Sequence, residues 1–355
     1  MVASVAEFVD LVLHGFYQAM HALPKDNYDA LRFSADGIDR SNVFDIGERK
    51  MFLTWFMVNH DKLYRTFNLF GDNESKTLYF HLILFRLLGH LHVKLPTNNP
   101  AHWEARAATE REVRRRPSRF QYTGVLGPLE NFALEFEGRA VTLDCWIHNI
   151  IWTFFIRQYS LRRGAAEIAA EPGDCVIDGG ACFGDTGIMF SSLVGPSGKV
   201  YLFDFVKQHL DVIDENLRQN PELAERMQVL PIALGAEDRV GLMGPLETPS
   251  LMPGATLSNA PSVPVRSLDS LVASGEIERV DFIKLDVEGS EIPVLLGARE
   301  TLRRFKPKLA ISVYHKPNDF FEIPLLIESM GLGYQLYFDH YTIHHEESVV
   351  FARAA

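Results

Sequence analysis

The sequence predicts an α/β protein, a doubly wound sheet preceded by a mainly helical segment. Three patterns carry that expectation. After Pro172-Gly173, short and nearly continuous apolar runs alternate with helical stretches, as strands buried on both faces of a parallel sheet do. Ahead of them, apolar residues recur at three- and four-residue steps. At the other end, Tyr334 to Asp339 and Ser348 to Ala352 are joined by a short polar loop, too short for a parallel crossover, so they pair as an antiparallel hairpin. The 355 residues correspond to about two domains at ~150 residues each.

Taken in order, Phe8, Val9, Val12, Phe16 and Met20 form one stripe of an amphipathic helix. Met51 to Phe70 and Lys76 to Leu91 are Leu-, Phe- and Met-rich without internal proline, and read as largely buried helices. Arginines cluster between Arg106 and Arg119, around Arg114, and Pro117 stops any helix there; this is a junction with a solvated basic face. Phe132 to Asp144 alternates around Glu137-Gly138 and reads as a short hairpin, followed by a helix from about His148 to Leu161. The buried strands are expected at Cys175 to Asp178, Val200 to Asp204, Gln228 to Ala233, Val280 to Asp286 and Leu309 to Tyr314. Gly241 to Ser262, rich in Pro, Gly and Ser, reads as a long surface loop suited to a lid. The chain divides into a helical part (1–125), connecting strands and helix (126–170) and the α/β part (171–355).

Composition removes several function classes. Apolar residues at 47% and charged residues at 23% exclude a disordered or collagen-like chain. A net charge of −11 disfavours non-specific binding to nucleic acid or an anionic membrane. Cys145, Cys175 and Cys182 are too few and too irregular for a disulfide framework or a zinc site, which fits a reducing, cytoplasmic compartment. No basic leader precedes the first apolar residues, so no signal peptide is expected, and the apolar stretch His81 to Val93 is interrupted by Arg86 and too short to span a bilayer.

The most informative segment is Val176-Ile177-Asp178-Gly179-Gly180-Ala181-Cys182-Phe183-Gly184-Asp185-Thr186-Gly187, a strand entering a helix through glycine. Such a turn brings main chain close to a ligand, and the amides of the following helix favour a negative group. The spacing is Asp-x-Gly-x-x-x-Gly rather than the Gly-x-Gly-x-x-Gly of a dinucleotide site, which argues against a nicotinamide oxidoreductase. An acid at the strand end suits a ligand ammonium group, such as that of S-adenosylmethionine. Asp204, at the end of the next strand, is placed to accept both ribose hydroxyls, with Phe205 and Ala233 flanking an adenine.

Val280 to Glu291 gathers charge at and beyond the end of another buried strand. Lys284 needs a carboxylate partner if buried, and Asp286 and Glu288 are the nearest in sequence. Asp286 and Glu288 face the ligand crevice, where they would hold an acceptor, assist its deprotonation or bind a divalent cation. His315, ending Ser312-Val313-Tyr314-His315, is the histidine best placed as a general base, since a free imidazole titrates near ~6.5. His344 and His345, beside Glu346, read as exposed loop residues because neighbours in an extended chain point apart.

These segments together resemble the FkbM family of S-adenosylmethionine-dependent methyltransferases. The likeness runs from about Phe155 to Ala352 and rests on the Val-Ile-Asp-Gly-Gly-Ala turn with Phe183-Gly184-Asp185-Thr186, on Ile283 to Glu291, and on Ala310 to Lys316 with Asp319. It implies a class I methyltransferase fold, with a seven-stranded sheet and an antiparallel last strand, over residues 171–355. The implied donor site comprises Asp178, Gly179, Gly180, Ala181, Gly184, Asp185, Thr186, Asp204, Phe205, Ala233 and Asp286; the implied catalytic groups are His315, Asp286 and Glu288. The family's usual Glu-Pro after the second strand is Asp204-Phe205 here. The expected reaction is methylation of a hydroxyl on a sugar, polyketide or other small metabolite; the competing reading is a non-catalytic binding or assembly module. The apolar N-terminal helices would supply any homodimer surface.

Overall fold

The computed structural model describes residues 2–30, 46–124, 126–164, 166–242 and 262–354. Its centre is a seven-stranded sheet of β1 (Cys175–Gly179), β2 (Lys199–Phe203), β3 (Met227–Leu230), β4 (Phe282–Leu285), β5 (Lys308–Ser312), β6 (Tyr334–His340) and β7 (Ser348–Ala354). The spatial order is β3-β2-β1-β4-β5-β7-β6. All neighbours run parallel except β7, which is antiparallel to both β5 and β6. The strand order reverses between β1 and β4, which opens a crevice at their carboxyl ends.

Among the described residues, the N-terminal part holds the helices α1 (Val5–Met20), α2 (Ile46–Leu69), α3 (Asn73–Leu88) and α4 (Pro100–Glu112). Each well-defined start has a side-chain cap. Ser4 accepts from the Glu7 amide, Asp72 from Ser75, and Asn99 from Ala101 and His102. α3 stops at Gly89, whose φ of 76° lies outside the helical region. These helices share one core with a face of the sheet: Phe8, Phe67 and Tyr79 belong to the same cluster as Ile283, Leu309 and Leu336. Tyr79 stacks on Phe320 at 4.1 Å between centroids. Phe70 bridges to Leu336 on the edge strand β6, and the Gly71 amide donates to the Leu336 carbonyl at 2.8 Å.

The opposite face of the sheet is covered by residues of the connecting region, where Phe132, Trp146 and Phe154 pack with Phe190, Phe282 and Phe351. The expected hairpin is present as Glu130–Phe136 and Arg139–Cys145, turned by Glu137 and Gly138 with φ of 49° and 69°, the left-handed pair a tight two-residue turn needs. Arg114–Pro117 adds an exposed strand beside it. The helix expected over His148 to Leu161 is shorter: Ile147–Asn149 is followed by a π-helical turn, Ile150–Ile156, that ends at Arg157 with φ of 60°. That segment is a run of β-branched and aromatic residues, poor α-helix formers. The run Gln228 to Ala233 also divides. Pro231 has no amide to donate, so β3 ends at Leu230, and Ala233–Leu234 pairs instead with Ser262–Arg266 in a separate small sheet. Arg239–Leu242 lies antiparallel to the same strand. The lid expected between Gly241 and Ser262 falls almost wholly on 243–261, outside the described residues.

His344 corrects the expectation of an exposed loop. It is buried, its Nε2 accepts from the Asp29 amide at 3.1 Å, and its ring meets Tyr28 and Phe85 edge-on. His345 is half-buried, against Phe52 and Phe85. The loop is held by packing against the N-terminal helices, which sequence spacing alone does not reveal. Among the described residues no helix is long and apolar enough to cross a membrane.

Candidate active site

At the carboxyl end of β1 the central feature is a buried ion pair. The parallel register sets Lys284 of β4 directly beside Asp178 of β1. Their Nζ and Oδ1 atoms lie 3.0 Å apart, with the side chains 2% and 0% exposed. Lys284 also donates to the carbonyls of Gly179 (3.1 Å) and Gly180 (2.7 Å), and Thr186 donates its hydroxyl to Asp178 Oδ2 at 2.7 Å. Burial works against the Lys284 ammonium, but Asp178, with Asp286 and Asp185, outweighs it and raises its pKa.

This geometry changes three expectations. Lys284 is neutralised by Asp178 rather than by Asp286 or Glu288, because the in-register neighbour is closer than any residue further along its own strand. Asp178 is therefore not open to a ligand ammonium; it ties the turn to the sheet. Asp185 and Thr186 are likewise turned inward: Asp185 accepts from Asn149 (3.1 Å) and Thr153 (2.7 Å) in the π-helical segment, and burial raises its pKa. Gly180 has a φ of +77°, and a Cβ there would sit 1.8 Å from the Asp286 carbonyl oxygen. Its missing side chain thus lets the turn pass against β4 as well as against any ligand.

The helix α5 (Asp185–Val194) starts from Gly184, with φ of 78° and no side chain capping it. Its first-turn amides have no intrahelical acceptors, which leaves a cradle for an anionic group such as a carboxylate. Gly180 and Ala181 donate to the Phe203 carbonyl, so the turn is pinned to the end of β2. There Asp204 accepts from the Cys182 amide (2.9 Å) and His209 Nδ1 (3.1 Å) at Oδ2, and from the Val206 amide (2.9 Å) at Oδ1. A carboxylate has about four acceptor positions, so Oδ1 retains one, enough for a single ribose hydroxyl rather than two. Phe205 and Ala233 are both half-buried just past their strands.

The ends of β4 and β5 form a second cluster. His315 is 4% exposed and stands between two acids, with Nε2 3.1 Å from Asp286 Oδ1 and Nδ1 3.0 Å from Glu291 Oε1. Glu288 Oε2 lies 3.8 Å from the same Nε2. Tyr159 donates to Asp286 Oδ2 at 2.6 Å and Tyr314 to Oδ1 at 3.2 Å. Burial disfavours the imidazolium, yet Glu291 and Asp286 outweigh it and raise the His315 pKa well above its usual value. Burial acts to raise Asp286, but His315 and Lys284 overcome it and hold that carboxyl below its usual range. A buried imidazole that keeps its proton is a poor base, so the expected role of His315 as proton acceptor gives way to that of a charged clamp. Glu288, 33% exposed and pushed up to about 6 by burial, is the most exposed acid of the cluster.

Sequence reasoning gave no role to Glu291, Tyr159 or Tyr314. Glu291 sits in the charged segment already singled out, but its 0% exposure and its facing of His315 depend on the turn at Gly289, with φ of +87°. Asp286, Glu291 and His315 bring donor atoms within 4.8 Å of one another, spacing suited to a metal ion. Next to the cluster, a cleft of about 530 Å³ is lined by Trp55 of α2, Gly289, Ile292, Lys316, Asn318 and Glu322, among others.

A seven-stranded sheet in this order with β7 antiparallel is the class I methyltransferase fold. Residues 178–336 match the model of the methyltransferase FkbM domain. Among solved structures, methyltransferase FkbM from Methylobacillus flagellatus KT is 18% identical, with a TM-score of 0.54 over 84% of this chain and 60% of that one. The chain thus spans 60% of that protein's length. Aeropyrum pernix fibrillarin, in complex with natively bound S-adenosyl-L-methionine, is 13% identical, covering 68% of this chain and 99% of that one at a TM-score of 0.35. A SAM-dependent methyltransferase from Aquifex aeolicus is 18% identical, covering 53% and 85% at 0.33. The first likeness supports the fold alone. Comparison with curated proteins gives no match.

Proposed function

We propose that the protein transfers the methyl group of S-adenosylmethionine to a hydroxyl of a sugar, polyketide or other small metabolite. The observation carrying this reading is the division of one crevice into two chemically distinct ends. At β1 and β2 lie an uncapped helix start and the last open acceptor of Asp204; at β4 lies Glu288, the exposed acid of the second cluster. The donor's carboxylate faces the amides of α5 and its ribose faces Asp204. The acceptor hydroxyl faces Glu288, beside the cleft under Trp55.

The sulfonium supplies an activated methyl group, so the protein's work is alignment, worth roughly 7–11 kcal/mol when reacting atoms are held in line. The hydroxyl gives its proton to Glu288, its oxygen forms the new bond to carbon, and the breaking carbon–sulfur bond leaves its electron pair on sulfur. A positioned base adds about 10²–10⁴-fold. His315, closed between Asp286 and Glu291, fixes the arrangement of the acids.

Incubation of the protein and methyl-labelled donor with metabolite extracts tests the reaction: a labelled small molecule is expected, and donor binding without any labelled product would identify a non-catalytic binding module instead. Asp204→Ala is expected to weaken donor binding several-fold by titration calorimetry; equal affinity removes the ribose assignment. Glu288→Gln is expected to lower kcat about 10²-fold or more with donor affinity unchanged. Unchanged turnover would show that Glu288 is not the base.

A further inference from the structure

We propose that Thr153, assisted by Asn149, is a positioning residue for donor binding: it holds the Asp185 carboxylate away from the start of α5 and so keeps the amides there free for the donor's carboxylate. The inference rests on the placement of the donor given above and names what keeps that place open.

An acid at the first position of a helix ordinarily lies over the first-turn amides, where the helix dipole favours negative charge. Asp185 has that position in α5, yet both its oxygens go elsewhere. Oδ2 accepts from the Thr153 hydroxyl at 2.7 Å and Oδ1 from the Asn149 amide group at 3.1 Å, and the residue is 2% exposed. The first bond inside the helix runs from the Ile188 amide to the Gly184 carbonyl at 2.9 Å, so the amides of Asp185, Thr186 and Gly187 have no acceptor within it. Gly184 brings no side chain to cap them. The helix start therefore carries its own competitor for an anionic ligand, drawn aside by two hydrogen bonds.

The sequence around Thr153 agrees with this task. It is the one hydroxyl in the run Ile150-Ile151-Trp152-Thr153-Phe154-Phe155-Ile156, and it is buried. A hydroxyl enclosed among apolar side chains is costly without a partner, and its partner is Asp185. The run is a π-helical turn, the kind of local distortion that collects at functional sites, and Asn149 lies one turn before Thr153. Burial raises the Asp185 pKa while the Thr153 bond opposes that rise. Without the hydroxyl, an ionised Asp185 is left short of a donor in apolar surroundings, and the unpaired amides of its own helix become the better place for it. Further along the same segment Gln158 donates to Glu347 at 2.8 Å and Tyr159 to Asp286 at 2.6 Å. The acids at the acceptor end thus have their own holders, and the effect of Thr153 is confined to the donor end.

The test is titration calorimetry of the full chain with S-adenosylmethionine and with its decarboxylated analogue, which keeps the ammonium and the sulfonium. Thr153→Val is expected to weaken binding of S-adenosylmethionine roughly 3–10-fold and to leave the analogue no weaker. Thr153→Ser, which keeps the hydroxyl, and Arg157→Gln, which breaks only the exposed bond of the segment to Glu137, are expected to bind as the wild type does. Adding Asp185→Asn to Thr153→Val removes the competing charge and is expected to restore most of the lost affinity. Circular dichroism accompanies each variant, and Asn149→Ala, at a partly exposed position, serves if Thr153→Val does not fold. Equal affinity of the wild type and Thr153→Val for S-adenosylmethionine overturns the proposal alone, as does equal weakening toward both ligands or a double variant that recovers nothing. Failure of the wild type to bind S-adenosylmethionine overturns it together with the methyltransferase reading.

Discussion

The two ends of the crevice place charge under the sheet in opposite ways. Beneath the donor end, Asp178 and Lys284 neutralise each other and every polar contact is internal to the protein. At the acceptor end, three acids surround one histidine, and two of those acids reach the crevice. The first arrangement is closed and holds the backbone; the second carries surplus negative charge and is open to a partner. Burial of charge alone therefore does not distinguish the two ends, whereas the balance of charge does.

The largest test of this contrast is Lys284→Met, which strands Asp178 as an unpaired buried carboxylate. A loss of about 3–5 kcal/mol in urea unfolding is expected, with most of it regained in the double variant Asp178→Asn with Lys284→Met, whose pair is removed together. A double variant no more stable than the single one would show that the pair does more than neutralise itself. Gly180→Ala comes next. The new Cβ meets the Asp286 carbonyl and the φ of +77° strains any side chain, so a loss of about 1–3 kcal/mol and weaker donor binding are expected. Retained stability and donor affinity together would remove the close approach of turn and β4 from the account.

The smallest effect concerns acid. Burial lowers His340 to about 3 and His344 to about 4, with Glu346, Arg86 and Asp29 among the charges acting on them. The unfolded chain binds these protons more readily than the folded one, so their contribution is intact above about 6.5 and is lost as pH falls toward about 4. A melting temperature that drops across this window, and drops less in His344→Gln, would place the acid-sensitive element in the final hairpin loop. The same drop in His344→Gln as in the wild type would move it elsewhere, with the acid cluster at β4 the next region to examine.

Much of the fold was legible because it is written in local pattern. Apolar runs marked the strands, Glu137-Gly138 marked a two-residue turn, and the short loop between β6 and β7 required an antiparallel pair. What escaped depends on register and distant packing. Lys284 could not be matched to Asp178 until β4 was laid beside β1, and nothing near His344 in the sequence points to Asp29. His315 ends its strand as expected, but its charge state is set by Glu291 across a turn, which the sequence order did not reveal. Asp204 was likewise found at the right strand end, while its bonds to Cys182 and Val206 limit what it can offer a ribose.

The join between Phe70-Gly71 and Leu336 has a practical outcome for any shortened version of the chain. An outermost strand with bare amides and carbonyls is adhesive, and here the turn between α2 and α3 seals it. Excising the first 125 residues would strip away that seal together with half of a shared hydrophobic interior, so the remaining α/β part is expected to precipitate as intermolecular sheet.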